Sequence, residues 1–530
     1  MFVRREFAIA MVFGLAVLGS GAVGSASSVP ETADPGGDST ASAADLDRDA
    51  TLTYAWSSPN GSWDPARTRN PFQDQIYLSM VYDRLVQLSP DGKIVPQLST
   101  GWELSDDQMT LTFSIRDDVV FQDGTPVDAQ AIADSVNRQR TLEGSLYIAS
   151  LSTVSSVDAP DATTVAVTLT EPDPTILYDL ATMAGAVVNP SAIADDSNLE
   201  LEPAGSGPYR LVSAGQDRIV FERNEDYFDP DVAKLARIEV LPIIDTTARL
   251  NAVRSGQADI GQFAGEQYAE VQSLVDSGEF ALATYQTTND APIYLNSAVP
   301  PLDDPQVRLA LNLAVDRESI NQNIFQGQCP AAGQVLPEGF VGYDPDIADY
   351  EFDPDRAREL LAEAGVESIT IDALTTASEP YNTIGQIVAD MWSEIGLTVN
   401  YETLEPAAIR GTFREGVAAA ASQAMSVASP DPSAVMEALI LGPDNPGGAV
   451  PDETFAADAA TAKALPLGSD ERAEAYQDLN ARATATPNHV RICHLPNFYL
   501  HTTQVVGADQ FAYASLSPIA EPQRLGKLAG

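Results

Sequence analysis

Carboxylates are the most abundant side chains with acid–base chemistry in this 530-residue sequence, which contains 76 Asp and Glu against 29 Lys and Arg. Two well-placed carboxylates can act as a general acid and a general base, so a secreted carboxylate-dependent hydrolase is one candidate function class. The sequence alone singles out no such pair. It also contains no G-x-S-x-G nucleophile elbow, no phosphate-binding P-loop and no H-E-x-x-H zinc motif.

The three histidines, His489, His494 and His501, lie close together near the end of the sequence. Their spacing does not place any two of them at i and i+4 of a helix, and the segment around them is typical of a strand. A metal site built from these histidines is therefore the less favoured alternative, and we expect no cofactor.

The two cysteines, Cys329 and Cys493, exclude a disulfide-rich scaffold and a multi-cysteine zinc site. An even number of cysteines in an exported protein permits a disulfide. That bond would close a loop of about 164 residues and contribute roughly 4–5 kcal/mol in the chain-entropy model. Two separate buried thiols explain the sequence equally well.

A formal net charge of −47 makes this a strongly acidic protein. Such a charge excludes the binding of nucleic acid or of an anionic membrane through a basic face.

The first 26 residues are predicted to be an export signal. Arg4 and Arg5 precede an apolar run at residues 7–18, and Gly24-Ser25-Ala26 resembles a cleavage site. An uncleaved anchor and a twin-arginine signal are the alternatives. No cysteine near the cleavage region offers a lipoprotein anchor, so we expect a periplasmic or extracellular protein. Residues 27–50 lack aromatic side chains and predict a disordered acidic linker.

The rest of the sequence alternates between strand and helix patterns. Residues 109–116, MTLTFSIR, and residues 164–170, TVAVTLT, alternate apolar and polar side chains as half-buried strands do. Asp304-Pro305 and Asp353-Pro354 are typical helix starts, with Asp as the N-cap and Pro in the first turn. These patterns predict an α/β protein.

Five stretches in the same order resemble the family 5 solute-binding proteins of ABC importers, the dipeptide, oligopeptide and nickel class. The stretches are residues 95–138, 205–229, 246–260, 301–320 and 352–405. The first begins VPQLSTGWEL and contains FQDGTPVDA, the second begins GSGPYRLV, and the fourth is PLDDPQVRLALNLAVDRESI. The resemblance extends over roughly residues 51–510.

This resemblance implies a two-lobed periplasmic-binding-protein fold of type II with an extra subdomain in its first lobe. We expect the first lobe at residues 51–293, with the inserted subdomain at about residues 85–200. The second lobe is expected at residues 294–497, and residues 498–530 return to the first lobe. The implied function is the capture of a peptide-like or other small polar solute by a monomer, without catalysis, and its delivery to ABC permease subunits in the membrane. A hydrolase and, less favoured, an extracellular holdase are the alternatives.

The same resemblance predicts which side chains line the cleft between the lobes. The first lobe is expected to contribute three residues, the crossover two and the second lobe five, in chain order Trp56, Ser57, Phe72, Tyr294, Asn296, Glu379, Tyr381, Asn382, Ser426 and Asp431. Each also has a simpler structural interpretation as part of a strand or a turn.

Glu379 argues against a standard dipeptide ligand. Dipeptide-binding relatives are expected to have an Arg before a Pro-Tyr-Asn stretch for the ligand carboxylate, whereas this sequence has Glu379 before Pro380-Tyr381-Asn382. The Asp that would bind the ligand ammonium is replaced by Ala428. The sequence therefore predicts a neutral or cationic ligand, or a longer peptide bound through its backbone. The alternative is a shifted alignment in which Arg410 or Asp431 supplies the charges.

Overall fold

The structure is a computed structural model that describes residues 45–68, 70–194, 198–285, 287, 290–366, 368–423, 429, 431–442, 445–511 and 521–529. The predicted export signal at residues 1–26 lies outside the described residues, as does the predicted linker up to residue 44. Within the described part of the chain, no helix is both long enough and apolar enough to span a membrane.

The elements follow one another along the chain in three groups. The first group is β1 (Thr51–Trp56), α1 (Pro71–Val81), β2 (Val86–Leu88), β3 (Ile94–Pro96), β4 (Ser99–Leu104), β5 (Thr110–Ile115), α2 (Ala129–Thr141), β6 (Val154–Asp161), β7 (Thr164–Leu169), α3 (Ile176–Leu180), α4 (Pro190–Ala194), β8 (Tyr209–Ala214), β9 (Ile219–Arg223), β10 (Arg237–Pro242), α5 (Thr246–Arg254), β11 (Ile260–Phe263), α6 (Tyr268–Val275) and β12 (Phe280–Tyr285). The second group is β13 (Ile293–Leu295), α7 (Pro305–Leu313), α8 (Arg317–Ile324), α9 (Pro354–Glu363), β14 (Ile369–Thr376), α10 (Tyr381–Ser393), β15 (Leu397–Leu404), α11 (Pro406–Arg414), β16 (Ala420–Ser422), α12 (Pro432–Met436), α13 (Phe455–Ala464), α14 (Asp470–Ala485) and β17 (His489–Val490). The third group is β18 (Asn497–Thr502), β19 (Val505–Val506) and β20 (Gly526–Lys527).

Two large sheets organise these elements into two lobes. The first lobe contains a seven-stranded sheet in the order β12-β18-β11-β1-β10-β9-β8, and a four-stranded sheet β4-β5-β7-β6 is inserted into it. The second lobe contains a five-stranded sheet in the order β15-β14-β16-β13-β17. Strand β18 pairs antiparallel with both β11 and β12, so the chain returns to the first lobe after the second. This α/β, two-lobed arrangement is the expected fold class.

Local sequence signals predict many of these elements correctly. In β5 the side chains of Leu111, Phe113 and Ile115 are buried while those between them are not, as the alternation predicts. Asp304 and Asp353 cap α7 and α9 by accepting backbone N–H groups of the first turn. A side-chain acceptor at this position satisfies a donor that the helix itself leaves unpaired.

Three predicted boundaries differ from the structure. Residues 45–50, predicted to belong to the disordered linker, are attached to the first lobe: Leu46 pairs with Leu528, and the Asp47 N–H donates to the Lys527 carbonyl over 2.8 Å. The linker prediction is wrong there because pairing with a distant strand leaves no local sequence signal. Ile293, placed in the first lobe by the prediction, begins β13 of the second-lobe sheet. Asn497, placed in the second lobe, begins β18 of the first-lobe sheet.

The chain crosses between the lobes after β12 and again before β18, and the two crossing segments lie side by side. Asp290 and His494 form an antiparallel bridge between them. The Arg491 Nε donates to the Asp290 carboxylate over 2.6 Å, and both side chains are almost fully buried. Cys329 and Cys493 form a disulfide beside this crossing, with their Cα atoms 5.5 Å apart.

Candidate ligand-binding site

The carboxyl ends of parallel strands in the second lobe position one wall of the candidate site. Strand β14 runs parallel to β16, with Thr375 opposite Ser422 at the ends of the strands. Helix α10 begins shortly after β14, and the Ser422 Oγ donates to the Tyr381 carbonyl over 2.8 Å. Ligands of α/β sheets bind at the carboxyl ends of the strands, so this edge is the expected place for ligand contacts.

The loop between β14 and α10 presents Glu379 to solvent. The side chain is exposed just before the helix begins, and its Oε2 accepts the Thr383 N–H over 3.2 Å. Tyr381 and Asn382 follow in the first turn and are half-buried. The structure therefore brings these three predicted residues together at one edge of the second lobe.

The first-lobe residues lie at the carboxyl end of β1. Trp56 is 3% exposed, and its Nε1 donates to the Gln73 carbonyl over 3.0 Å. Ser57 is half-buried, and its Oγ donates to the Gln73 Oε1 over 3.0 Å. Both side chains therefore hold the end of β1 against α1. Phe72, the third predicted residue of this lobe, belongs to α1, and its side chain is not among those that the structure describes.

Tyr294 and Asn296 are buried at the other end of the crossover. Tyr294 is 3% exposed and packs against Phe413, with ring centroids 5.8 Å apart. Asn296 is fully buried, its amide donates to the Ala418 carbonyl, and its Oδ1 accepts the Ala298 N–H. Asn296 therefore has a structural role in this arrangement, because it is fully buried and holds two backbone groups, and its predicted ligand role is corrected on that ground.

Asp431 also has a structural role in place of the predicted one. It accepts two hydrogen bonds from the Arg472 guanidinium at 2.7 and 2.8 Å and caps α12 through the Ser433 N–H. Both side chains of the ion pair are 2% exposed. A buried charge whose partner is removed is strongly destabilising, so Asp431 is not available to a ligand. Ser426 lies outside the described residues.

A contact between the lobes brings together six residues, which we call the interlobe cluster. The first lobe contributes Asp173, Tyr178 and Asp179, and the second lobe contributes Asp431, Lys463 and Arg472. The Lys463 Nζ lies 3.8 Å from the Asp173 Oδ1. Leu467, in the turn between α13 and α14, packs against the hydrophobic core of the first lobe.

Burial and neighbouring charges shift two pKa values in the interlobe cluster. Burial, reinforced by Asp173, raises the pKa of the Asp179 carboxyl to about 7. Burial, reinforced by Asp431, raises the pKa of Tyr178 to about 12. Asp431, a residue of the second lobe, contributes to both shifts, in agreement with the contact between Lys463 and Asp173.

Sequence reasoning missed the interlobe cluster. Asp173-Pro174 has the same pattern as the helix starts at Asp304 and Asp353, and nothing local distinguishes it from them. The Arg472 that neutralises Asp431 lies 41 residues further along the chain. Only the packing of the lobes reveals these partners.

The structure gives the histidines no metal-binding partners among the described residues. His489 contacts Asn488 over 2.6 Å and also contacts Arg491. Burial, together with the Arg491 guanidinium, lowers the pKa of His489 well below its usual value. Among the residues that the structure describes, no group of three or more His, Cys, Asp or Glu side chains is placed to hold a metal ion.

The decisive comparison is with protein families. The family described as bacterial extracellular solute-binding proteins, family 5 (middle), matches residues 93–446 of this chain. The chain belongs to this family. It is a substrate-binding component of an ABC importer, and its family is one of transport rather than of catalysis.

Curated relatives agree with the family assignment. The chain is 28% identical over 399 residues to the peptide transport periplasmic protein SapA of Salmonella typhimurium, covering 69% of this chain and 71% of SapA. It is 30% identical over 301 residues to the glutathione-binding protein GsiB of Salmonella paratyphi A, covering 56% of this chain and 58% of GsiB.

Solved structures show the same fold. HbpA2 of Haemophilus parasuis superposes with a TM-score of 0.80 at 24% identity, covering 91% of this chain and all of HbpA2. NikA of Brucella suis superposes with a TM-score of 0.79 at 20% identity, over 91% of this chain and all of NikA. The comparisons support the solute-binding interpretation and lend no support to the hydrolase alternative.

Proposed function

We propose that this member of the family is exported, acts as a monomer, and captures a small neutral or cationic peptide-like solute between its lobes for delivery to the ABC permease. The family supplies the binding function, and the names of its relatives include peptide, glutathione and heme binders. The charge of the ligand is argued from this chain's own residues.

Glu379 is the observation that carries the ligand proposal. It is exposed at the start of α10, beside Tyr381, where a dipeptide binder is expected to place an Arg. A ligand carboxylate at this edge would face a like charge in place of a bidentate partner. Asp431 cannot serve as a replacement anchor for a ligand ammonium, because Arg472 already neutralises it.

Calorimetric titration of the unliganded protein tests the proposal with a dipeptide and its C-terminal amide. The amide lacks the carboxylate and is expected to bind more tightly than the free dipeptide. Glu379→Gln should narrow this difference in affinity, whereas Glu359→Gln, which removes an exposed charge from α9, should leave it unchanged. Submicromolar binding of ordinary free dipeptides would contradict the proposal.

Tyr381→Ala should weaken ligand binding without a matching loss of stability, because Tyr381 is only half-buried. The corresponding Trp56→Ala variant is not a clean test. Trp56 is 3% exposed in the first-lobe core, so its removal is expected to cost about 3–5 kcal/mol in stability. Unchanged affinity in Tyr381→Ala would remove this residue from the site.

Native mass spectrometry of gently purified protein tests the binding function itself. A closed binding protein is expected to retain its solute, which can then be identified by its mass. Incubation of that solute with excess protein should return it intact. Turnover of the solute by pure protein would favour the hydrolase alternative.

A further inference from the structure

A cavity of about 330 Å³ opens in the second lobe beside the crossing between the lobes. We call it the hinge-side pocket; Leu336 and His494, which are buried, line its inner part, and Glu338 and Asp349, which are exposed, line its rim together with the half-buried Tyr343. Ala331 pairs with Cys493, and His494 pairs with Asp290 of the other crossing segment. None of the residues proposed above for the solute site lines this pocket.

His494 is the feature of the pocket that lacks a structural explanation. Its side chain is 8% exposed, and the Gln334 backbone is the one neighbouring group that acts on the ring by hydrogen bonding, which raises the pKa of the imidazole. Apart from it, the ring nitrogens have no hydrogen-bond partner within the described part of the chain. A buried polar group without a partner costs free energy, and most such groups in native proteins are paired. The imidazole therefore has unused hydrogen-bonding capacity in a cavity large enough for a ligand.

The surroundings of His494 favour a neutral imidazole. Burial, together with the Arg491 guanidinium, lowers the pKa of His494 to about 3. Arg491 itself is paired with Asp290 and does not neutralise a ligand charge. A neutral imidazole offers one N–H donor and one acceptor nitrogen, which suits a hydroxyl or amide group rather than a second charge.

The rim of the pocket is acidic and aromatic. Glu338 and Asp349 are exposed, and Asp349 accepts the Gly333 N–H over 2.7 Å. Burial, reinforced by Glu338 and Asp349, raises the pKa of the Tyr343 phenol. Two carboxylates and a phenol ring at a pocket mouth favour a cation and disfavour an anion.

We propose that the hinge-side pocket binds a small organic cation that has an apolar body and a hydroxyl or amide at its far end. The cationic group lies at the rim between Glu338 and Asp349, beside the Tyr343 ring. The apolar body covers Leu336, and the hydroxyl or amide at the far end donates to the ring nitrogen of His494 that does not face the Gln334 backbone. This site is separate from the solute site and does not depend on the ligand proposed there.

Tyramine is a suitable probe because it combines an ammonium, an aromatic ring and a phenol hydroxyl. Phenethylamine lacks the hydroxyl, 4-ethylphenol lacks the ammonium, and 3-(4-hydroxyphenyl)propionate replaces the ammonium by a carboxylate. The sequence has only three histidines, so imidazole NMR of histidine-labelled protein resolves His494, which the His494→Phe variant assigns. Titration of the full mature protein follows this resonance.

Tyramine is expected to shift the His494 resonance to saturation and to bind about tenfold more tightly than either single-group analogue. The propionate should not shift it. Glu338→Gln with Asp349→Asn should abolish the preference for tyramine over 4-ethylphenol. The control variant Glu103→Gln with Asp106→Asn removes two exposed charges from the first lobe and should preserve that preference.

A His494 resonance that does not move at millimolar tyramine would overturn the proposal. So would binding that shifts only other residues, or a preference for the ammonium that survives the rim substitutions. Glu338 and Asp349 are exposed, so variants at these positions are expected to fold. They test the proposal even if His494→Phe lowers the stability of the protein.

Discussion

Replacing Asp179 by Asn should remove a pH-dependent loss of stability that arises in the interlobe cluster. Burial and Asp173 raise the pKa of this carboxyl from 3.8 to about 7. In the folded protein the carboxyl therefore retains its proton at pH values at which the unfolded chain has lost it. Its favourable contribution is complete below about pH 4 and is lost as the pH rises through 7.

The magnitude follows from the difference in pKa between the two states. Each pKa unit corresponds to about 1.4 kcal/mol, so a shift of this size gives at most about 4 kcal/mol. Part of that loss already occurs below pH 5, and the side chain keeps some contact with solvent. Between pH 5 and pH 8.5 we therefore expect the wild-type protein to lose about 2–3 kcal/mol more than Asp179→Asn.

Urea unfolding at the two pH values measures this difference. Asp106→Asn removes an exposed carboxylate from the first lobe and is the matched control, with a pH dependence like that of the wild type. Asp179→Asn should unfold at a somewhat higher urea concentration than wild type at pH 5 and at a much higher one at pH 8.5. Parallel pH profiles for wild type and Asp179→Asn would refute the assignment of a raised pKa to this group.

Three further predictions concern stability. Replacing Cys329 and Cys493 together by Ala should lower the free energy of unfolding by about 4–5 kcal/mol, because the loop they close is long; alkylation of the native or denatured protein without reduction would show that they do not pair. Asp431→Asn should cost about 3–5 kcal/mol in urea unfolding by leaving Arg472 buried without its partner, whereas Asp452→Asn at an exposed ion pair should change little. The melting temperature should rise from low to moderate salt, because a net charge of −47 opposes compactness, and a salt-independent value would contradict this.

Structural features that depend on neighbouring residues are predictable from the sequence, whereas features that depend on distant residues are not. The strand at β5 and the caps at Asp304 and Asp353 depend on side chains within a few positions, and these predictions are confirmed. Asp431 and Asp173 have the same Asp-Pro signal, yet their partners Arg472 and Lys463 come from remote segments. For this reason a cap, a buried ion pair and a contact between lobes cannot be distinguished from their sequence alone.

Candidate site residues were predictable to the level of the element but not of the side chain. The resemblance assigns Trp56 to the end of the first strand and Tyr381 to a loop of the second lobe; the structure has Trp56 at the end of β1 and Tyr381 as the first residue of α10. The two side chains differ in exposure, because Trp56 is packed against α1 while Tyr381 is half-buried. How much of a side chain faces a cleft depends on packing from both lobes, which periodicity does not encode.

The position of β18 in the seven-stranded sheet determines the order in which this protein can be completed. β18 lies between β11 and β12, although the whole second lobe separates it from them along the chain. A chain that emerges from its N-terminus onward therefore exposes two unpaired strand edges until residues 497–502 have appeared. Such edges can pair wrongly with other chains. Synthesis of the first lobe therefore starts before that of the second lobe but is completed after it, because strand β18 of the first lobe follows the second lobe along the chain.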